Sequence, residues 1–291
     1  MKKLAVIAGY ATVDFPVRLP RALTGERTAT VEAMAGEQWP RPGGAALYAA
    51  RCVVAAGGRA AALVTVGNDS NGALYLDAAR ACRVHLTGID VSSEARTPWC
   101  MLLYHDDGGY TCLIDRGDVD RHRLTDSQQL LVSSADLVCI AAGGAATSAA
   151  VLDCVSNETP LAWIAKRDPV CFPPLLARRL AQRADFIFCN SAERPDVDAA
   201  RGHGDRPRQT LIETRGAAGV RLEYDGRSVD LPVDSVDVRD ATGAGDTLAG
   251  GVIASVLEGN LDIEAAVREG ICAARRLLES RAGRDLQGPA M

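Results

Sequence analysis

Aromatic residues are scarce in this chain, since Phe, Trp and Tyr together make up only 4% of its 291 residues. A surface on which nucleic-acid bases stack needs more of them. The net charge of -5 likewise provides no excess of basic groups for a phosphate backbone. No stretch of roughly 18 apolar residues occurs, so the sequence predicts no membrane-spanning helix. We therefore expect neither nucleic acid nor a membrane among the partners of this protein.

Paired cysteines are also missing. The nine cysteines are spread singly, without a Cys-x-x-Cys, and several lie inside apolar runs such as residues 137–140 and 186–189. Buried, reduced thiols are the simplest explanation, which favours a cytoplasmic protein. The opening residues 1–8 have too short an apolar core for a signal peptide, so we interpret them as a first strand.

Two common nucleotide-binding patterns are absent as well. No Gly-x-x-x-x-Gly-Lys-Ser/Thr occurs, which excludes a P-loop. No Gly-x-Gly-x-x-Gly follows the first apolar segment, which counts against a dinucleotide-dependent oxidoreductase. A nucleotide, if the protein binds one, must be held by another motif.

Apolar segments of strand length alternate with helix-like segments along most of the chain. Strands are predicted at 4–8, 61–66, 137–141, 161–165, 185–189 and 210–212, and helices at 45–56, 71–82, 147–155 and 174–182. Continuous apolar strands separated by helices are typical of a parallel sheet covered on both faces. We predict an α/β fold with a mostly parallel central sheet sandwiched by helices, in a single domain over residues 1–291.

Residues 15–38 and 97–114 do not follow this alternation. The first segment mixes β-branched and charged residues. The second predicts two strands, 99–104 and 110–114, joined by an Asp-Asp-Gly-Gly turn at 106–109. We expect the two segments to form a small β-sheet that projects from the main body as a lid.

A glycine-rich segment from Asp240 to Gly251 carries the strongest chemical signal. Val236 and Val238 alternate with polar residues as in a short strand, 240–245 has the composition of a loop, and 246–257 consists of good helix formers. Glycines at this corner leave backbone N–H groups uncovered, and the helix start adds unpaired donors and the positive end of its dipole. The segment therefore predicts an anion-binding corner. Asp246 there could cap the helix or accept a proton from a hydroxyl that attacks a phosphoryl group.

Two further motifs follow predicted strands. Asn190 and Glu193 lie after the strand at 185–189, where open α/β sheets bind ligands, but the same pair also fits a helix cap. Thr214, Gly216 and Gly219 form a Thr-x-Gly-x-x-Gly turn whose glycines would let the backbone approach a ligand or satisfy a β-turn. Neither motif alone decides between a ligand role and a structural role.

The set and order of these motifs resemble the ribokinase-like (PfkB) family of small-molecule kinases. That family commonly carries Asp-Thr-x-Gly-Ala-Gly-Asp, which this chain matches from Asp240 to Asp246 except that Ala241 stands at the usual Thr. Its N-terminal pattern, Gly-Gly-x-x-x-Asn-x-Ala, begins here at Gly43, but Tyr48 stands at the Asn. The resemblance extends over nearly the whole chain.

This resemblance implies ATP as the phosphoryl donor, with Asp246 as the catalytic base. The implied anion hole consists of the amides of Gly243, Ala244 and Gly245. Contacts to the nucleotide are implied for Asn190, Thr214, Gly216, Gly219 and Thr242. Glu193 and Asn190 would hold Mg²⁺ through water, which suits an ion that keeps most of its hydration shell. A monovalent cation such as K⁺ is left open as a further cofactor.

The resemblance also assigns an acceptor site. Asp14 would grip paired hydroxyls of the acceptor, beside Gly43, Gly44 and Tyr48, where the tyrosine offers a hydroxyl or a ring. The lid would cover the acceptor and make a homodimer contact. The sequence thus predicts an ATP-dependent kinase that phosphorylates a hydroxyl of a small sugar or sugar derivative. A nucleoside kinase of the same family is the alternative, and a non-catalytic sugar or nucleotide sensor is a more distant one.

Overall fold

A computed structural model describes residues 2–19, 25, 28–33, 39–105, 110–202, 209–238, 240–260 and 262–285. The strands are β1 (Leu4–Ala8), β2 (Val13–Arg18), β3 (Glu32–Ala33), β4 (Arg41–Pro42), β5 (Arg59–Gly67), β6 (Ile89–Ser92), β7 (Trp99–Tyr104), β8 (Tyr110–Asp115), β9 (Leu137–Ile140), β10 (Leu161–Ile164), β11 (Phe186–Asn190), β12 (Thr210–Thr214), β13 (Val220–Tyr224) and β14 (Arg227–Leu231). The helices are α1 (Ala45–Ala55), α2 (Ser70–Ala81), α3 (Asp126–Ser133), α4 (Ala145–Cys154), α5 (Pro174–Arg183), α6 (Arg194–Arg201), α7 (Ala244–Leu257) and α8 (Ile263–Asp285).

Nine strands form the central sheet in the order β14-β13-β12-β11-β10-β9-β1-β5-β6. The seven strands from β12 to β6 in this order run parallel, whereas β13 and β14 add an antiparallel hairpin at one edge. The predicted α/β fold with a mostly parallel sheet is therefore confirmed. The sheet is wider than predicted, because the short strand β6 extends it at the other edge.

The hydrophobic core lies in two layers, one on each face of this sheet. In β1, Ala5 and Ile7 face a layer that contains α1 and α7, while Leu4, Val6 and Ala8 face a layer that contains α4 and α5. Side chains alternate along a strand, so a sheet covered on both faces needs apolar residues at every position. This is why the central strands appear in the sequence as continuous apolar runs.

The lid is a second sheet, with the order β3-β2-β7-β8 and with β4 also paired to β2. The predicted strands at 99–104 and 110–114 are present as β7 and β8, and the first lid strand begins earlier than predicted, at Val13. The predicted turn at 106–109 and much of the segment 15–38 lie outside the described residues. Asp14, Cys100 and Ile114 are aligned across β2, β7 and β8, so one face of the lid is shared by alternate residues of all three strands.

The strand expected at Val236 and Val238 is absent, because residues 232–238 have no regular secondary structure. Pro232 has no amide to donate at the end of the edge strand β14, and the chain then leaves the sheet to reach α7. Helix α7 begins at Ala244, two residues earlier than predicted. No helix in the described part of the chain is both long and apolar enough to cross a membrane.

Candidate active site

A cavity of about 650 Å³ lies where the carboxyl ends of the central strands meet the lid and the start of α7. Parallel strands end at the same edge of the sheet, so the segments after β1, β9, β10, β11 and β12 all reach this space. The lid contributes its inner face. Ten of the residues predicted to act on nucleotide, metal or acceptor line the cavity, namely Asp14, Gly44, Tyr48, Asn190, Glu193, Thr214, Thr242, Gly243, Gly245 and Asp246. Gly43, Ala244, Gly216 and Gly219 are not part of this lining.

The glycine corner precedes α7. Gly243 has a φ of 79°, in the left-handed region that glycine favours, and the helix starts at the next residue. The Ala244 amide is already used, because it donates to the Ala241 carbonyl at 3.1 Å. The amides of Gly245 and Asp246 lie in the first turn, where the helix itself supplies no acceptor. A Cβ added at Gly245 would meet no atom within 4 Å, so the corner is open there to an anion.

Asp246 lines the cavity from the first turn of α7, and the N-cap position belongs to Gly243 rather than to Asp246. Burial raises the pKa of Asp246 to about 6, the Lys166 ammonium opposes this shift, and the carboxylates of Glu193 and Asp14 add to it. A carboxylate with a pKa near 6 is a stronger base than an ordinary aspartate and is still mostly ionised at pH 7. Asp246 is therefore not the N-cap of α7, and its proton-accepting role stays a prediction.

Asp14, on β2, is the lid carboxylate of the cavity and is only 3% exposed. Burial raises its pKa, while a hydrogen bond from the Thr12 hydroxyl at 2.9 Å and the charge of Arg41 act in the opposite direction. A Cβ on Gly43 would lie 2.1 Å from Asp14 Oδ2, so glycine is required for the carboxylate to lie there. Gly44 has a φ of 87° and its Cβ would lie 2.3 Å from the Tyr10 carbonyl oxygen. The Gly-Gly pair therefore makes room for the acid and for the turn into α1.

Asn190 and Glu193 hold each other in a tight turn, and both also line the cavity, so their ligand role stays a prediction. The Glu193 amide donates to Asn190 Oδ1 and the Asn190 amide donates to Glu193 Oε2, both at 2.9 Å, which is the reciprocal pattern of a capping box. It closes the turn between β11 and α6, and the N-cap of α6 is Glu193 rather than the predicted Asn190. The other carboxylate oxygen, Oε1, lies 3.7 Å from Lys166 Nζ, and both side chains line the cavity. One oxygen thus holds the turn while the other remains next to the cavity.

Asn190 and Glu193 fit a magnesium ion only if water and substrate phosphates supply its other ligands. Among the described residues, no three His, Cys, Asp or Glu side chains are grouped as a metal-ligand set. Mg²⁺ is commonly held by one or two carboxylates together with water and substrate phosphates. Glu193 is buried and fixed by its turn, so it suits that requirement. Asp246 lies close enough for the charge of Glu193 to raise its pKa.

The turn from Thr214 to Gly219 lies at the rim of the cavity. Thr214 lines it, whereas Gly216 is exposed. A Cβ on Gly219 would lie 2.3 Å from the Leu231 carbonyl oxygen, so packing against the end of β14 explains this glycine. A ligand contact by Gly216 stays a prediction.

Tyr48, on α1, lies beneath the glycine corner and is 2% exposed. A Cβ on Gly243 would lie 2.7 Å from Tyr48 Cε1, and the Arg51 guanidinium lies 4.2 Å from the ring centroid. The hydroxyl accepts a hydrogen bond from Arg281 Nη2 at 3.1 Å. The ring is therefore enclosed by protein, and it supports the corner from below.

Asp240 begins the corner and is 2% exposed. Its Oδ2 lies 2.5 Å from Arg41 Nη1, and its Oδ1 lies 3.4 Å from Arg281 Nη1. Burial opposes ionisation, but the two arginines and the hydroxyl of Tyr104 outweigh it and hold the pKa of Asp240 below its usual value. Tyr104, from β7, donates to Asp240 and lies 2.5 Å from Thr242 Oγ1. The lid is thereby tied to the corner.

Some residues of the site had no assigned role from the sequence. Lys166 follows β10 directly, and its position at a strand end was the available signal. Tyr10 donates to Asp120 Oδ1 at 2.6 Å at the cavity wall. Arg41 and Arg281 are brought to Asp240 from distant parts of the chain, and no local pattern indicates them.

Known proteins resemble this chain over most of its length. The family model described as pfkB family carbohydrate kinase matches residues 5–286. An ATP-dependent ribose-1-phosphate kinase from Halopiger xanaduensis is 26% identical over 271 residues, which cover 89% of this chain and 86% of that protein. A cytidine kinase from Thermococcus kodakarensis is 32% identical over 114 residues, so the match spans only 36% of this chain and 40% of that relative.

A solved structure with a similar fold is a ribokinase from Cryptococcus neoformans in complex with ADP. Its TM-score is 0.80 at 18% identity, and the match covers 95% of this chain and 94% of that one. At this identity the similarity establishes the fold. It agrees with the central sheet and the separate lid described above.

Proposed function

Because this chain belongs to the pfkB family of carbohydrate kinases, we propose that it transfers the γ-phosphoryl group of ATP to a hydroxyl of a small sugar or sugar derivative. One observation carries this proposal. Asp246 and Asp14 line the same cavity, and they are close enough for the charge of Asp14 to raise the pKa of Asp246. A base at an anion-binding helix start thus shares a space with a buried carboxylate able to accept from hydroxyl groups.

In this reaction Asp14 accepts hydrogen bonds from the acceptor and orients it, and Asp246 takes the proton of the attacking hydroxyl. The amides at Gly243, Gly245 and Asp246 face the phosphoryl oxygens, and Lys166 offsets their charge. Such groups lower the barrier mainly by positioning and electrostatics, because the transition state of phosphoryl transfer is loose. Glu193 and Asn190 would hold Mg²⁺ through water, and the ion would neutralise charge on the phosphates.

A nucleoside acceptor is the second candidate. Tyr110 is 44% exposed and lines the cavity, where its ring lies 5.6 Å from that of Tyr104, so it provides one aromatic surface for a base. The partial match to a cytidine kinase agrees with this possibility. The longer match is to a kinase of a sugar phosphate, and among the described residues the cavity lining offers one accessible aromatic ring rather than a pair that would sandwich a base. We therefore favour the sugar.

The decisive experiment is an acceptor panel. Sugars, sugar acids, sugar phosphates and nucleosides are incubated with the protein, ATP and magnesium, and ADP release is measured. We expect a sugar or sugar derivative to be accepted, and Asp246→Asn to lower turnover at least ~10²-fold while ATP still binds. Asp237→Asn, at an exposed aspartate outside the cavity, is the control. Turnover of nucleosides alone would select the second candidate, and near-normal turnover of Asp246→Asn would refute the assignment of the base.

We also propose a homodimer through the outer face of the lid. Five of the residues that alternate with the cavity-facing ones are apolar and at least partly exposed, namely Phe15, Trp99, Met101, Leu103 and Leu113. On the same face Val13 and Val17 are buried, and Thr111 and Asp115 are polar. Leu113 is 51% exposed. An apolar sheet face of this kind is typical of a protein interface, and a second copy would cover it with the same residues.

The remaining proposal concerns the compartment. All nine cysteines are free thiols, but only five are buried, whereas Cys112 and Cys272 are exposed, so the expectation of buried thiols is met in part. Burial raises the pKa values of Cys52, Cys171 and Cys189. Thiols that are buried and protonated are unreactive and need no partner. This agrees with a reducing environment, and we propose the cytoplasm.

A further inference from the structure

Arg281 of α8 is buried directly beneath the glycine corner. It is 3% exposed, and its Nη1 donates to the carbonyl oxygens of Thr242 at 2.6 Å and Asp240 at 3.0 Å. The same nitrogen lies 3.4 Å from Asp240 Oδ1, and Nη2 donates to the Tyr48 hydroxyl at 3.1 Å. One guanidinium group thus satisfies two backbone carbonyls, a carboxylate and a phenol that all belong to the corner or to its floor.

The carbonyl and carboxylate oxygens among them are of the type that binds a monovalent cation. Backbone carbonyls and carboxylates are the donors that hard cations prefer, and here they converge on the Nη1 atom of Arg281. The second oxygen of Asp240 is taken by Arg41. A K⁺ ion, which the sequence left open, therefore does not fit beside Arg281 without displacing it.

The contact to Thr242 fixes the direction of the next amide. In a trans peptide unit the N–H points away from the C=O, and the peptide unit that carries the Thr242 carbonyl also carries the Gly243 N–H. Holding that carbonyl on Arg281 therefore turns the Gly243 N–H away from α8. Gly243 lines the cavity, so its amide, turned away from α8, is aimed at the space where the phosphoryl oxygens would lie.

The contact to Asp240 removes an unfavourable charge. An uncompensated carboxylate behind the corner would repel the phosphates of ATP. Arg41 and Arg281 offset the charge of Asp240, and both also act on the nearby carboxyl of Asp14. The charge of Asp240 is thus compensated at low exposure, where electrostatic effects are strongest.

We propose that Arg281 is a built-in replacement for a monovalent cation: it positions the amides of the glycine corner, and it makes the protein independent of K⁺ and Na⁺. Arg281 acts through the corner and is therefore a positioning residue. The effect of Arg281 on catalysis rests on the proposed function. Whether Arg281 occupies the cation position can be tested without turnover, by ADP affinity and melting temperature.

The first test uses the unaltered protein. ADP affinity, the melting temperature and turnover are measured in KCl, NaCl and choline chloride at equal ionic strength. We expect ADP affinity and turnover to agree within about twofold, and the melting temperature to be the same, in the three salts, because Arg281 takes the oxygens that would hold a small cation among the described residues of the corner. A K⁺-specific gain of more than about tenfold in ADP affinity or turnover would overturn the proposal. ADP binding without turnover on any acceptor would refute the proposed function and leave this test valid.

The second test removes the guanidinium group. Arg281→Ala is expected to weaken ADP binding and to lower turnover about 10- to 100-fold, the usual effect of losing a group that orients others. Because the carbonyl and carboxylate oxygens then lack their cation, K⁺ or low, non-denaturing guanidinium should restore part of the loss, and K⁺ should raise the melting temperature of this variant alone. Arg275→Ala, on the exposed side of the same helix, is the matched control and should respond to none of these additions.

A third variant covers the case in which Arg281→Ala does not fold. Arg281→Lys keeps the charge but presents one compact ammonium group in place of the planar fork. It should fold and retain K⁺ independence with reduced ADP affinity. If Arg281→Ala folds, loses nothing, and shows no cation response, Arg281 merely fills space and the proposal fails.

Discussion

Asp246 combines a position at a helix start with a pKa that burial raises to about 6. A general base must be unprotonated to act, so turnover should be full well above pH 6 and should fall as the pH drops through this value. At pH 5 we expect about a tenfold loss, because roughly one carboxylate in ten is then ionised. The measurement is the pH dependence of kcat with saturating ATP and acceptor. A profile that stays flat down to pH 5 would contradict the assigned base.

Glu193 divides its two carboxylate oxygens between the turn and the cavity. Glu193→Gln keeps an oxygen that can accept from the Asn190 amide but removes the charge, so the fold should persist while magnesium is held less well. We expect a several-fold higher magnesium concentration at half-maximal rate, with little change in acceptor KM. Glu213→Gln is the control, since Glu213 is also buried but pairs with Arg194 and Arg215 outside the cavity. An unchanged magnesium curve would assign Glu193 to capping alone.

At the scale of elements, α7 is held between α1 and α8 through glycines. A Cβ on Gly250 would lie 2.6 Å from the Ala49 carbonyl oxygen of α1, and a Cβ on Gly251 would lie 2.7 Å from Gly270 Cα of α8. This close approach also sets the distance between Tyr48 on α1 and Gly243 at the start of α7. The glycines inside α7 therefore serve the site by fixing how near its neighbours lie.

Two substitutions in the same helix separate packing from ligand access. Gly250→Ala should lower the free energy of unfolding by about 1–3 kcal/mol, because the added methyl forces α1 and α7 apart. Gly245→Ala meets no atom within 4 Å, so it should keep or raise stability by up to about 1 kcal/mol through helix propensity. Its methyl projects into the open corner and should raise the KM for ATP. Urea unfolding and ATP kinetics on both variants check this, and a destabilised Gly245→Ala with normal KM would contradict it.

The lid has one face in the active site and one face on the outside of the molecule. Register across β2, β7 and β8 gives it one face toward the cavity and one largely apolar face outward. The cavity face carries Asp14 and Tyr104, and Tyr104 bonds the glycine corner directly. Association of two lids would therefore affect the position of the acceptor-binding residues in both copies.

A test of the dimer follows from Leu113, which lies on the outward face and is 51% exposed. Leu113→Asp introduces a charge that association would bury, so it should convert the dimer to a monomer. Light scattering coupled to size-exclusion chromatography measures the mass. Leu175→Asp, at a 72% exposed leucine of α5, is the control and should leave the mass of a dimer unchanged. An unaltered protein that is monomeric at all concentrations would exclude this interface.

The sequence by itself determined those features that depend on neighbouring residues. Continuous apolar strands alternating with helices predicted a parallel sheet covered on both faces, because side-chain alternation and helix periodicity are local properties. The glycine corner was equally predictable, since Gly243 requires its positive φ whatever surrounds it. The capping and ligand interpretations of Asn190 and Glu193 could not be separated, and the geometry shows that one side chain serves the turn and faces the cavity.

Only the tertiary structure decided which distant groups meet behind that corner. Arg41, Tyr104 and Arg281 come from a lid-edge strand, a lid strand and the last helix, and no spacing in the sequence relates them to Asp240. Their meeting depends on strand register and on how closely α7 approaches its neighbours, and both are set by packing over the whole molecule. Residue patterns report the backbone chemistry of a short segment. The charge and hydrogen bonds behind that segment depend on which other segments the fold places against it.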